Sequence, residues 1–176
     1  MSRINILKNF ISTEDLTILN QYVRSSEIPW ADTGDAWTGR FIHSIQIPND
    51  TINRLVAKIA TSTQEQIEIV TGKKIRLETC QLVRWRIGDQ LDPPHADGEH
   101  LDGAPHPYAQ RHYSALIYLN NDFEGGRIFF PNENLTPEIE PGMLVHFTGT
   151  KEDLHGVTKV ISGMRYTMVM FFTRVE

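Results

Sequence analysis

The chain has 176 residues, 40% of them hydrophobic and 22% charged, the balance of a folded domain rather than of a disordered or low-complexity chain. A formal net charge of −5 gains little on a phosphate backbone, so nucleic-acid binding is not expected. The single cysteine, Cys80, excludes an internal disulfide and a thiolate-based zinc site. No apolar run approaches the roughly 20 residues of a membrane span and no signal-peptide pattern opens the chain, so a cytoplasmic protein without membrane association is expected.

The length and the absence of repeats or linkers predict one domain over 1–176, with helical support over 1–72 and a β-rich core over 73–176. Ser12, followed by Glu14 and Asp15, is a predicted N-cap, and Leu16, Leu19 and Val23 continue at helical spacing. The stretch from Trp30 to Pro48 is mixed and reads as short strands or loops; Trp30 and Trp37 either pack in the core or line a substrate path. A second helix is predicted from about Thr51 to Val70. Ile52, Leu55, Val56, Ile59, Thr63, Ile67 and Val70 share one face, and Gly72 is placed to end it.

From Lys74 the pattern changes to short apolar runs between turn signals. Ile75–Ile87 alternates weakly, and Tyr113–Leu119 reads clearly as a strand. Glu124-Gly125-Gly126 is a turn before Arg127–Phe130, and Glu140-Pro141-Gly142 a turn before Met143–Phe147. Val157–Ile161 and Tyr166–Arg174 complete the set. Several short strands without intervening helices predict an all-β core, here a jelly roll braced by N-terminal helices.

Residues 93–100 read Pro-Pro-His-Ala-Asp-Gly-Glu-His. In extended backbone, residues i and i+2 project to one side, so His95 and Asp97 can reach one ion together. His155, opening a late strand, is the best third ligand. Two imidazoles and a carboxylate form the facial set that suits non-haem Fe(II) and leaves coordination positions open. His100, His106 and His112 are rival ligands, but they sit among Gly and Pro without a strand partner and read as loop residues near the entrance. Residues 98–110 form either a lid or a surface loop. Arg165 follows His155 by ten positions, within Gly163-Met164-Arg165-Tyr166-Thr167. An inward guanidinium among apolar residues needs an anionic partner, and a small dicarboxylic acid could chelate the ion with one end and meet Arg165 with the other.

Taken together, His95-Ala-Asp97, His155 and Arg165 resemble the iron(II)/2-oxoglutarate-dependent dioxygenases, in their prolyl 4-hydroxylase-like branch. Further blocks in order carry the resemblance over residues 76–172. These are Glu78-Thr-Cys-Gln81-Leu-Val-Arg-Trp85, Arg111-His-Tyr-Ser114-Ala-Leu-Ile-Tyr118-Leu119-Asn120, and Gly125-Gly126-Arg-Ile-Phe-Phe130-Pro131. The resemblance implies a double-stranded β-helix with Fe(II) held by His95, Asp97 and His155. It implies 2-oxoglutarate and O2 as cosubstrates, with ascorbate as a further cofactor. It places Tyr118 beside Arg165 on the cosubstrate carboxylate, Trp85 and Thr167 in the cosubstrate pocket, and Arg111 on the substrate. Departures from the family pattern are Trp85 and Asp92 for Tyr, Ser114 and Ile128 for Thr, and Phe171 for Trp. The retained Asp97 argues against a halogenase.

The implied reaction is hydroxylation of an unactivated C–H bond, with release of succinate and CO2. The leading substrate is a peptidyl proline. A free amino acid or other small molecule is the alternative, and a non-catalytic, cupin-like metal-binding module is a third reading. The partner is thus a peptide or a small molecule, and the oligomeric state is left open.

Overall fold

The computed structural model describes residues 3–175. Its elements, in chain order, are β1 (Asn5–Leu7), α1 (Thr13–Val23), β2 (Phe41–His43), α2 (Asp50–Thr71), β3 (Ile75–Trp85), β4 (Leu91–His95), β5 (Tyr113–Tyr118), β6 (Glu124–Gly125), β7 (Ile128–Phe129), β8 (Leu144–Thr148), β9 (His155–Val157), β10 (Val160–Ser162) and β11 (Arg165–Arg174). A six-stranded sheet runs β1-β8-β5-β11-β3-β2. A three-stranded sheet runs β4-β9-β7, and β10 pairs with β6. Every pairing is antiparallel. This is the expected all-β, jelly-roll arrangement with two helices.

The helices end where their side chains satisfy the free backbone groups. Ser12 Oγ accepts from the Asp15 amide at the start of α1. Asn49 Oδ1 accepts from the Thr51 and Ile52 amides at the start of α2. Gly72, at φ 66°, closes α2 by donating its amide to Glu68 O. The helix is one residue longer at each end than the apolar periodicity indicates, because the caps at Asn49 and Gly72 set its ends; Val70, expected on the apolar face, is exposed in the last turn, beyond the buried stripe that ends at Ile67.

Alternation divides the large sheet into two environments. Cys80 and Leu82 of β3, Ala115 and Ile117 of β5, and Met168, Met170 and Phe172 of β11 pack beneath the helices, against Leu19, Val56, Ile59 and Ile67. Burying each such aliphatic side chain contributes about 1.5–3 kcal/mol. Residues of the other parity on the same strands face the small sheet, and the space between the sheets holds the site.

Two features differ from the sequence expectation. Residues 1–72 supply strands as well as helices: β1, which was not expected, pairs with β8, while β2, within the stretch read as short strands or loops, pairs with β3, extending the sheet at both edges. Strands of three residues are too short to show a period, and the sheet they dock on defines them. The run Val157–Ile161 is split, with β9 joining the small sheet and β10 pairing with β6. Among the described residues no helix is long and apolar enough to cross a membrane.

Candidate metal centre and cleft

Strands β4 and β9 bring the two halves of the predicted triad together. His95 and His155 are register partners. Asp97 lies two residues past His95, just beyond the end of β4, and still reaches both rings. His95 Nε2 is 3.4 Å from Asp97 Oδ1, and His155 Nε2 is 3.4 Å from Asp97 Oδ2. One ligand atom from each residue lies within 4.8 Å of the others, and among the described residues this is the one such cluster of three or more His, Cys, Asp or Glu. Two imidazoles and one carboxylate on one side of a cavity suit a divalent iron-type ion.

The supporting contacts orient these ligands. His155 Nδ1 lies 3.2 Å from the Asp153 carbonyl oxygen. A carbonyl can only accept, so Nδ1 carries the proton and Nε2 presents its lone pair to the triad. Ser114 Oγ donates to Asp97 Oδ2 over 2.6 Å. Burial pushes the His155 imidazole down, against the pull of Asp97, and favours the neutral, ligating form. Burial alone would raise the Asp97 carboxyl, but His155, His95 and the Ser114 hydroxyl outweigh it and hold it well below the usual carboxylate range. The His95 Nδ1 atom is buried without a partner.

The triad opens into a cleft of about 690 Å³ between the sheets, whose walls include Trp85, Arg111 and Arg165. Arg165 is 2% exposed, and no carboxylate pairs with it among the described residues. Its Nη2 donates to Tyr118 Oη over 3.4 Å, its Nε has no partner, and its guanidinium carbon is 5.2 Å from the centre of the Trp85 ring. A buried cation left so short of acceptors suits an anionic ligand. Tyr118 Oη also accepts from the Ile128 amide.

Other predicted positions fall in different places. Tyr118 and Thr167 are fully buried but do not line the cavity. They face each other in the β5–β11 register, and Thr167 Oγ1 is unpartnered. Tyr118 thus reaches the cleft through Arg165. Arg111 lines the cleft and is neutralised by Glu78, with Arg111 Nε 3.2 Å from Glu78 Oε2. Ile128 and Phe171 are on the wall as well. Trp30 packs against the core beneath Arg84, whereas Trp37 lines the cleft edge-on to Trp85. Arg40, paired with Asp89, holds both indoles, 5.3 Å from each ring centre. Of the rival histidines, His106 lines the cleft, while His112 Nδ1 accepts from the Arg174 amide. Cys80 is buried, which pushes its thiol up to about 12, so it supplies no nucleophile.

Sequence reasoning did not assign Ser114 a role at the metal, nor did it find Glu78 as the partner of Arg111. Alternation could have found Ser114, which shares a face of β5 with Tyr118. The Glu78–Arg111 pair bridges residues 33 positions apart and leaves no local signal.

A jelly roll enclosing a His-x-Asp…His triad, with a buried arginine across the cleft, is the architecture of the iron- and 2-oxoglutarate-dependent oxygenases. The family model described as 2OG-Fe(II) oxygenase superfamily matches residues 80–173, and the chain belongs to that family. Rat prolyl 3-hydroxylase 2 is 37% identical over 100 residues, covering 50% of this chain and 14% of that protein. Chicken prolyl 3-hydroxylase 1 is 40% identical over 126 residues, covering 69% of this chain and 16% of that protein. The chain therefore spans about one-seventh of the length of the curated relatives it matches. Among solved structures, a viral collagen prolyl hydroxylase from Paramecium bursaria Chlorella virus-1, in its 2OG complex, superposes with a TM-score of 0.74 at 19% identity, over 99% of this chain and 97% of that one. A Pseudomonas putida prolyl-4-hydroxylase superposes at 0.68 and 18% identity, over 99% and 94%. A Trichoplax adhaerens prolyl hydroxylase, in complex with a hypoxia inducible factor peptide fragment, superposes at 0.63 and 18% identity, over 97% and 83%. At these identities the structural likenesses bear on the fold.

Proposed function

We propose that the chain hydroxylates a prolyl residue of a peptide, using Fe(II), O2 and 2-oxoglutarate. The balanced reaction takes R–H, O2 and 2-oxoglutarate to R–OH, succinate and CO2. His95, Asp97 and His155 would hold the iron, which when bound supplies the oxidising chemistry. Arg165, steadied by Tyr118 and stacked near Trp85, would bind the far carboxylate of 2-oxoglutarate. Arg111 would orient the substrate, and the apolar walls would exclude water from the reacting centre. Ascorbate would serve as a further cofactor.

The observation that carries the reading is the unpaired, buried Arg165 in the same cleft as the triad. A metal-binding module without catalysis has no use for an unneutralised guanidinium there. The prolyl hydroxylase relatives favour proline in a peptide over a free amino acid. The test is a screen of proline-containing peptides and free amino acids with Fe(II) and 2-oxoglutarate. Succinate release is measured beside the mass gain of one oxygen atom, and fragmentation of the product distinguishes the C3 from the C4 position of the ring. Succinate coupled to a peptide product supports the proposal. Coupling only to free amino acids, or none, contradicts it.

A further inference from the structure

The segment between the metal motif and β5 is predicted as a lid or a surface loop. In the structure it forms part of the cleft wall and is tied down by consecutive turns. The Ala109 amide donates to His106 O and the Arg111 amide to Tyr108 O. His106, Tyr108, Arg111 and Phe171 all line the cleft. The Arg111 guanidinium carbon lies 3.9 Å from the ring centres of both Tyr108 and Phe171. The His106 ring lies 5.9 Å from Tyr108 on one side and 4.5 Å from His100 on the other.

The backbone fixes the donor and acceptor roles of His106. The Tyr108 amide donates to His106 Nδ1 over 3.1 Å. An amide N–H can only donate, so Nδ1 is the acceptor, and in the neutral ring the proton sits on Nε2. This is the opposite tautomer to that of His155, where Nδ1 donates to the Asp153 carbonyl and Nε2 is the ligand atom. The pairing of His100 with His106 is therefore not a second metal site: the free nitrogen of His106 carries a proton, and no third ligand completes a cluster there among the described residues. Partial burial, His100 and Arg111 push the His106 imidazole down, which favours the neutral ring.

The wall thus carries hydrogen-bond donors with little net charge. Both oxygens of Glu78 are engaged, one by Arg111 Nε and the other by Gln110 Nε2, so Glu78 offsets the Arg111 charge and leaves the terminal nitrogens of Arg111 without a protein partner among the described residues. A free carboxylate would meet a guanidinium already neutralised. The uncharged carbonyl oxygens of a peptide backbone match such donors better.

We propose that His106 is a substrate-positioning residue, whose Nε2–H donates to a backbone carbonyl of a peptide on the wall it shares with Arg111. The proposal rests on the peptide hydroxylase reading given above and adds a residue that positions the peptide backbone.

The test uses the full chain with Fe(II) and 2-oxoglutarate, and an N-acetylated, C-amidated proline-containing peptide turned over by the wild type, with free L-proline as the comparison. His106→Asp keeps an oxygen to accept from the Tyr108 amide, and so preserves the turn, but it has no donor. His106→Asn keeps both an acceptor and a donor. For His106→Asp the expected result is a KM for the peptide raised about tenfold, with the KM for 2-oxoglutarate and the kcat at saturating peptide within about twofold of wild type. His106→Asn is expected to recover part of the loss. An unchanged peptide KM in His106→Asp, or a 2-oxoglutarate KM that rises in step with it in both variants, would overturn the assignment while leaving the peptide reading intact. A wild type that turns over free proline but no blocked peptide defeats the reading itself, and the proposal with it, before any variant is measured.

Discussion

His95 and His155 sit opposite each other in the β4–β9 ladder, with their ring centroids 4.5 Å apart. Strand pairing therefore converts a long sequence separation into a bidentate imidazole site. Asp97 completes it from just past the end of β4, held by Ser114 from β5, an inner strand of the opposite sheet. The centre draws on both sheets, so its geometry depends on their packing.

The Ser114 contact predicts a specific loss. Ser114→Ala removes the hydrogen bond to Asp97 Oδ2 and frees the carboxylate to rotate. Metal affinity is expected to fall by about 10–100-fold, the usual cost of losing an outer partner of a ligand. Titration with Fe(II) or with Co(II) as its substitute, followed by competition with a chelator, measures it. The fold should persist in thermal unfolding, because a small polar group is lost and no large cavity opens.

Arg165→Met replaces the buried guanidinium with an apolar side chain of similar length. The affinity for 2-oxoglutarate is expected to fall at least about tenfold, since a charge-assisted hydrogen bond is worth about 1.5–3 kcal/mol. The Trp85 ring lies beside Arg165, so quenching of tryptophan fluorescence on adding 2-oxoglutarate reads the binding without turnover. Metal affinity in this variant should match the wild type.

Gly156 explains why the residue after the distal ligand has no side chain. A Cβ there would lie 2.6 Å from the Leu91 carbonyl oxygen of β4 and 2.6 Å from the Phe129 ring of β7. Gly156→Ala must therefore push β9 away from its neighbours on both sides. A destabilisation of about 1–3 kcal/mol is expected, typical of overpacking, together with weaker metal binding as His155 moves from His95. Thermal unfolding and metal titration on the same sample test both effects.

His146 gives the fold a pH dependence unrelated to the metal. It is buried on β8 with its Nε2 unpartnered, and burial pushes its pKa down to about 4 from 6.5. Between these values the unfolded chain binds a proton that the native state refuses, so stability falls as pH drops below 6.5 and the loss is complete near pH 4. Between pH 7.5 and pH 5 the contribution is about 2 kcal/mol. Urea unfolding of the wild type and of His146→Leu at both pH values isolates it: the variant should lose about that much less stability on acidification.

Much of this arrangement was legible in the residues themselves. The His-x-Asp spacing, the distal His155 and Arg165 point to the centre, and the cap at Ser12 and the glycine at 72 point to the helix ends. What was hidden depends on tertiary partners. Strand β1 is too short to carry a period and exists because the sheet edge offers hydrogen bonds. Trp37 reads either as core or as part of a substrate path, and the choice falls to Arg40, which bridges it to Trp85 on the cleft wall. Tyr118 reads as a cosubstrate contact beside Arg165, and the partner the residues do not disclose is the Ile128 amide, which donates to the same hydroxyl that Arg165 meets.

The most direct test is the stoichiometry of 2-oxoglutarate consumption by the purified chain, with and without Fe(II), in the wild type and in His155→Ala. The expected result is one succinate per 2-oxoglutarate consumed, dependent on Fe(II) and abolished in the variant. Succinate release that persists without iron, or at the wild-type rate in His155→Ala, would contradict the assignment of the triad as the reacting centre.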